Sequence, residues 1–411
     1  MQAYLGVPAL LGIAFLLSEA PRAVAWRLVV GGIALQAAIA VLFLKVPPAV
    51  RLLVVLDKGI EALQTATNAG TTLVFGFLGG GPLPYAETQP GLSFVLAFRA
   101  FPLVLVISAL AALLIHWGIL QRVVGVLAWA LRRTLGIGGA LGLGAAVHIF
   151  VGMIEAPLLV RPYLKTMTRG ELFALMSCGM AGIAGTMMVI YGSILKATIP
   201  DSFSNILVAS VLSTPAALAI AAIMVPFAVK PEDVAAFDDG ARHGSAMEAI
   251  VKGTMDGIGF IAAIVAMLIV LVALVTLINL GLGLIPAGGT PLSLQRIFAI
   301  GFRPIVWLIG VPWAQSEAAA TLMGTKTVLN EFVAFLDLAH LPADSLDPHA
   351  RLIMTYALCG FANFGSLGIM LGGISAMAPE RRADVVALGW RSVVSGTLAT
   401  LMSGAVVGLL T

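Results

Sequence analysis

The 411-residue chain has little charge: Asp, Glu, Lys and Arg together make up 10% of it, against 60% hydrophobic residues. A soluble domain carries about 25% charged and about 45–50% apolar residues, so an ordinary soluble enzyme is excluded. Disorder needs low hydrophobicity and high charge, and is excluded too. Charge of one sign is also scarce. Lys and Arg number 23 and Asp and Glu 20, a formal net charge of +3, which is too small to point to nucleic acid. Cysteine is almost absent. Cys178 and Cys359 both lie in apolar stretches, where a Cys is ordinarily a small packing residue, so neither a disulfide nor a metal site is expected. No HExxH, GxSxG or paired-Cys motif occurs, and no enzyme is expected. The Gly-rich stretch Gly136–Gly144 follows an arginine-bearing helix and lacks the P-loop Lys-Ser/Thr, which favours close helix packing over phosphate binding.

What is present is long apolar sequence, with a mean hydropathy of +1.05. About twenty apolar residues span a bilayer as a helix. Barrel strands would be alternating segments of about ten, and these runs are longer and do not alternate. The fold class expected is therefore an all-α polytopic membrane protein. Clear spans lie at about 1–18, 28–46, 94–118, 204–228, 254–284 and 384–410. Met1 to Leu17 lacks a basic n-region and a cleavage site, so it reads as a span and not a removed signal peptide. Segments at about 171–195 and 351–377 are apolar but interrupted, and those at about 138–166 and 302–336 read as half-spans that turn back. Irregular backbone of that kind is tolerated only where protein or a water-filled cavity covers it. Val50 to Asn68, Gln121 to Thr134 and Ser293 to Ile300 look interfacial, and a polar linker runs about 230–247.

Eight spans and two re-entrant hairpins put four basic clusters on one side: Arg22 and Arg27; Arg122, Arg132 and Arg133; Arg161, Lys165 and Arg169; and Arg381, Arg382 and Arg391. That side is cytoplasmic by the positive-inside rule. The acidic linker on the same side is a mild discrepancy. An internal repeat pairs Cys178-Gly-Met-Ala-Gly-Ile-Ala-Gly185 with Cys359-Gly-Phe-Ala-Asn-Phe-Gly-Ser366. Upstream, Val151-Gly152 before Glu155 resembles Ile309-Gly310 before Gln315 and Glu317. An odd number of crossings separates the copies, so the repeat is inverted. Inverted repeats with interrupted helices point to a secondary transporter with a midplane site. The organisation expected is 1–134 for N-terminal spans and interfacial helices, 135–229 for the first repeat, 230–301 for linker, long span and interfacial helix, and 302–411 for the second repeat.

A carboxylate at mid-bilayer costs about 2.5–3.5 kcal/mol, so Glu155 needs a partner or a wet pocket. It is either a functional group or one half of a structural ion pair with an arginine such as Arg161. His148 is either a titrating group or a satisfied core histidine. Gln315 and Glu317 offer acceptors to substrate hydroxyls, or Glu317 merely sits at a helix start. Asn363 and Ser366 face one way, three residues apart.

The stretches Ile149-Phe-Val-Gly, Glu155-Ala-Pro, Val160-Arg-Pro, Gly310-Val-Pro-Trp, Lys326-Thr-Val, Asn330-Glu-Phe-Val, Cys359-Gly-Phe-Ala-Asn363 and Pro379-Glu-Arg-Arg resemble the bacterial branch of the concentrative nucleoside transporter family. The resemblance covers nearly the whole chain. It implies eight transmembrane helices, two opposed hairpins, a homotrimer in the bacterial inner membrane, and elevator-type import of a nucleoside-like small molecule driven by sodium or protons. It implies base-side contacts at Met153, Ile154 and Glu155, ribose contacts at Asn363 and Ser366, and Phe361 packing on the substrate. Gln315 would take the position of a ribose-binding glutamate, with Glu317 beside it. Val151 and Ile183 would offer carbonyls to a cation. The family places Gln and Thr or Ser where this chain has Met153 and Ile154, and its sodium-coupled members place Asn at His148 and Ser at Gly182. Proton rather than sodium coupling is therefore expected, through His148 or Glu155, with no further cofactor. A sodium-coupled transporter of the same fold, or one for a different or modified nucleoside-like substrate, is the alternative.

Overall fold

The computed structural model describes residues 2–87, 93–153, 155–196, 198–199, 201–228, 244–285 and 291–411; among these the chain is helical and no strand occurs. The helices are α1 (Gly6–Leu16), α2 (Trp26–Lys45), α3 (Pro47–Phe75), α4 (Leu96–Arg99), α5 (Pro102–His116), α6 (Ile119–Leu135), α7 (Gly139–Val147), α8 (Glu155–Leu159), α9 (Arg161–Leu164) and α10 (Arg169–Ala181). They continue as α11 (Gly185–Leu195), α12 (Ser202–Met224), α13 (Ala246–Leu282), α14 (Leu294–Leu308), α15 (Ser316–Val328), α16 (Glu331–His340), α17 (Pro348–Leu358), α18 (Phe364–Met377) and α19 (Arg382–Leu410). Among the described residues six helices are long and apolar enough to cross a membrane, and Ala3–Leu16 and Phe364–Met377 are shorter apolar helices. Most of the expected polar linker, residues 230–243, lies outside the described residues, and its last residues already belong to α13.

The centre is α10, α12, α17 and α19 packed on one another. α12 is buried nearly all round, which is why it is apolar on every face and shows no amphipathic stripe. α2 lies against it where a Cβ on Gly32 would sit 2.8 Å from the Pro215 carbonyl oxygen. Buried polar groups join these helices: Gln36 Nε2 donates to Ser403 Oγ at 3.1 Å, and Ser403 and Ser213 hydroxyls lie 3.1 Å apart. Without water to compete, such contacts act as interhelical glue.

α13 is different. It packs on α5 along Gly253 and Gly257, and much of the rest of its surface is exposed. A Cβ on Gly253 would lie 2.6 Å from the Ser108 carbonyl oxygen, and one on Gly257 3.1 Å from Leu105 Cα. Two glycines four apart let the backbones touch, as in tight membrane helix pairs.

Charged groups gather at one end. Arg169 reaches Glu19 at 3.1 Å and Asp384 at 3.0 Å. Arg381 binds Asp384 at 3.0 Å and takes the carbonyls of Leu164, Lys165 and Met167 at 3.1, 3.3 and 2.5 Å. Lys165 meets Glu380 at 3.2 Å. Two basic clusters that the positive-inside rule assigned to one side thus converge on one patch, with Glu19 brought to them.

The second helix–turn–helix unit corrects an expectation. Residues 302–308 belong to α14, which extends the expected interfacial helix and ends before Gly310 at φ 120°. The turn between the paired helices falls at Leu329–Asn330, where Asn330 caps α16 by accepting from Val333 N–H at 3.0 Å. Gly310–Glu317 is therefore the junction entering the unit and not its tip. A glycine with polar neighbours reads the same in sequence whether it ends a helix or reverses the chain.

Candidate functional site

Four interruptions meet. α10 stops at Ala181 and α11 begins at Gly185, leaving 182–184 unwound. α17 stops at Leu358 and α18 begins at Phe364. The two breaks touch: Phe361 N–H donates to the Gly182 carbonyl at 3.1 Å, and a Cβ on Gly360 would lie 2.9 Å from the Ala181 carbonyl oxygen. Only glycine permits that approach. The Cys-Gly repeat thus becomes two breaks in contact, with both thiols free and buried.

The turn between α7 and α8 lies on the first break, because Gly185 N–H donates to the Phe150 carbonyl at 2.8 Å. His148 is buried, and among the described residues its Nε2 has no hydrogen-bond partner. A Cβ on Gly179 would lie 3.1 Å from its ring Cε1, and one on Gly182 2.9 Å from its carbonyl oxygen. Met153 is buried beside Gly179, Val151 is half-buried and Ile183 is buried. Ile154 lies outside the described residues.

Glu155 begins α8 and is half-buried, with its carboxylate folded over Gly152 where any Cβ would strike it. Among the described residues it has no ion pair and no hydrogen bond. Arg161 does not neutralise it, since its Nε donates instead to the Met377 carbonyl at 3.3 Å.

On the other side is Glu331, the first residue of α16 and buried. Its Oε1 accepts from Tyr191 Oη–H at 2.7 Å, and its Oε2 from Asn363 Nδ2 at 2.9 Å. The positive end of α16 also favours its charge. Asn363 has a second task, because its Oδ1 caps α18 by accepting from Ser366 N–H at 2.7 Å. Asn363 and Ser366 thus come together as spaced, and half-buried Phe361 lies two residues before Asn363. Lys326 is fully buried and donates to the Ala357 carbonyl at 2.8 Å and Thr400 Oγ1 at 3.0 Å. It caps the end of α17, where carbonyls lack helical partners and a cation is favoured.

Gln315 and Glu317 are not brought to this centre. Gln315 Nε2 donates to Asp347 Oδ2 at 3.1 Å and its Oε1 accepts from Asp347 N–H at 3.1 Å, locking it to the start of α17. The Glu317 side chain is 79% exposed, 3.9 Å from Arg303. The residue that pairs with Asn363 is Glu331, which sequence reasoning quoted within Asn330-Glu-Phe-Val but gave no role. The available signal was an acid directly behind an N-cap Asn in an apolar hairpin. Tyr191 left no such signal.

Among the described residues no group of three or more His, Cys, Asp or Glu side chains is arranged around a metal.

The comparisons with known proteins cover the chain in three parts. Residues 5–78 match the model of the Na+ dependent nucleoside transporter N-terminus, 97–198 that of nucleoside recognition, and 205–408 that of the Na+ dependent nucleoside transporter C-terminus. An uncharacterized transporter of Haemophilus influenzae is 38% identical over 100% of this chain and 97% of its own length. The nucleoside permease NupC of Helicobacter pylori is 33% identical over 98% of this chain and 96% of its own. The structure of CNTnw in an inward-facing substrate-bound state superposes with a TM-score of 0.90 at 36% identity, covering 100% of this chain and 97% of that one. A CNTnw variant in an outward-facing state gives a TM-score of 0.90 at 35% identity, with 100% and 97% covered. Matched end to end by these relatives, and carrying the paired breaks just described, the chain belongs to the concentrative nucleoside transporter family.

Proposed function

We propose that the protein imports nucleosides across the bacterial cytoplasmic membrane as a proton-coupled homotrimer. Each protomer would use eight crossings, two opposed re-entrant hairpins and elevator-type alternating access. One observation carries the reading. Among the described residues Glu155 from the first hairpin has no partner, while Glu331 from the second is held in place, and both belong to elements that meet at the two joined breaks. An unpaired carboxylate at membrane depth is a functional group by default, and interrupted helices of inverted repeats are where transporters hold cargo. Glu155 and Met153 would face the base. Glu331, Asn363 and Ser366 would face the ribose, with Phe361 packed on the substrate.

Two features support proton over sodium coupling. Sodium prefers oxygen ligands, and His148 brings nitrogen, with an Nε2 that has no partner among the described residues. A serine at Gly182 would put its Cβ 2.9 Å from the His148 carbonyl oxygen, too close without backbone movement. In the cycle, protonation on the outer side permits binding, the loaded hairpins close, the transport body crosses, and deprotonation inside favours release.

The test is counterflow and uptake of radiolabelled uridine and adenosine in proteoliposomes, with sodium and pH varied independently. Uptake should persist without sodium and collapse with a protonophore, and Glu155→Gln should abolish accumulation against a gradient. Restoration by sodium alone refutes proton coupling and favours the sodium-coupled alternative. Buried, apolar Met153 supports a second reading, a less polar or modified nucleoside as cargo; competition by such analogues over uridine would favour it.

A further inference from the structure

The geometry points to Tyr191 as the residue that positions the Glu331 carboxylate for a hydroxyl of the sugar, an inference that rests on the nucleoside reading above. The two residues come from different halves of the chain, Tyr191 from α11 and Glu331 from the start of α16. Each carboxylate oxygen has one fixed donor, Tyr191 Oη–H on Oε1 at 2.7 Å and Asn363 Nδ2 on Oε2 at 2.9 Å. An ionised carboxylate offers about four lone-pair sites, so beyond these two donors and the Glu331 backbone N–H that also bears on it, capacity for a further donor remains.

The surroundings restrict what that donor is. Asn363 Oδ1 is already used on Ser366 N–H. The phenol has given its only proton to Glu331 and retains acceptor capacity alone. What Glu331 and Tyr191 jointly present is therefore rich in acceptors. It suits a ligand hydroxyl, which donates, and rejects a ligand carbonyl, which accepts. A ligand without that hydroxyl leaves buried acceptors unpaired, which is how a site built for hydroxyls discriminates against deoxy analogues.

Tyr191 is held independently of any ligand. Its ring centroid lies 4.8 Å from that of Phe335 at 32°, and 6.1 Å from that of Phe332. Phe332 in turn meets Phe101 at 5.9 Å. The ring is fully buried among them, so the phenol is fixed on Oε1 before cargo arrives. Pre-organisation of that kind lowers the ordering cost of binding. Tyr191→Phe keeps the packing and removes only the hydroxyl.

The experiment measures KM and Vmax for uridine, 2′-deoxyuridine and 3′-deoxyuridine in proteoliposomes of wild type and Tyr191→Phe. Loss of a hydrogen bond to a charged group corresponds to roughly a tenfold or larger rise in uridine KM, with Vmax maintained. The same substitution should add little for the analogue that lacks the hydroxyl meeting Glu331. An equal penalty on all three substrates, or no penalty on uridine, overturns the proposal. Phe335→Leu loosens the ring without removing the hydroxyl, so it should raise the uridine KM by less than Tyr191→Phe does and spare the same analogue; an equal rise for all three overturns the proposal. If Tyr191→Phe does not assemble, 3-fluorotyrosine at position 191 alters only the phenol's acidity; it must shift the uridine KM and spare that analogue, and an unmoved uridine KM overturns the proposal. Wild-type protein that takes up none of the three nucleosides instead removes the nucleoside reading and this proposal with it, whereas wild-type uptake with an indifferent Tyr191→Phe removes this proposal alone.

Discussion

Lys326 shows how one side chain can support a site it does not line. Its ammonium holds the last turn of α17 through Ala357 and reaches Thr400 on α19, so it fixes where the second break begins. Lys326→Met keeps most of the apolar stem and leaves the buried Ala357 carbonyl without its donor, while the Thr400 hydroxyl keeps its bond to the Thr397 carbonyl. Such an orphan costs about 1–3 kcal/mol. The melting temperature in detergent should fall, and uptake should fall with it because the break shifts relative to Glu331. An unaltered melting curve with full uptake would contradict this role. Among single residues of the candidate site, Glu155, Asn363 and Ser366 stand out in the sequence, because polar groups in apolar spans do. Glu331 stood out equally, but the Gly310–Glu317 stretch imitated the first hairpin's spacing and drew attention to Gln315. Nothing local distinguishes those two stretches; only the seating of Gln315 on Asp347 does.

At the level of elements, breaks and crossings matter more than hydropathy. The span positions were readable because α2, α5, α12, α13 and α19 are long and apolar. Which of them is central was not readable, since buried α12 and exposed α13 are both apolar along their length. The distinction lies in what small residues face. Gly253 packs 2.6 Å (as a Cβ) from the Ser108 carbonyl oxygen and 2.7 Å from Ala112 Cβ, whereas a Cβ on Gly259 meets nothing within 4 Å. Gly253→Leu should therefore prise α13 from α5, lowering the melting temperature and the monodisperse yield. Gly259→Leu on the same helix should be neutral. Equal behaviour of the two variants in size-exclusion chromatography would show that the glycine contact is dispensable.

For the whole molecule, polar ties at the two ends connect parts of the chain far apart in sequence. At one end Arg169 and Arg381 join Glu19, Asp384 and the carbonyls after α9. At the other, α3 presents Asp57, Glu61 and Gln64 on one face to Ser204, Lys196 and Ser193, with Glu61 and Lys196 2.8 Å apart. The two acids respond oppositely to pH. The Lys196 hydrogen bond holds Glu61 below its ordinary carboxylate range, so its contribution is present above that range and is lost as pH falls through the depressed value. Burial raises Asp57, so the contribution of its protonated form is lost as pH rises. Glu61→Gln should melt slightly below wild type near neutrality, and the gap should close in acid. A gap that widens in acid would mean the pair does not act as a tie. The effect is small because the pair is exposed to solvent.

Both native thiols are sealed inside the joined breaks, at 1% and 0% exposure for Cys178 and Cys359. The surface is therefore silent toward maleimides. A fluorophore or spin label attached at one newly introduced cysteine, on the α8–α9 side or on exposed α13, would report motion without a thiol-free background having to be engineered first.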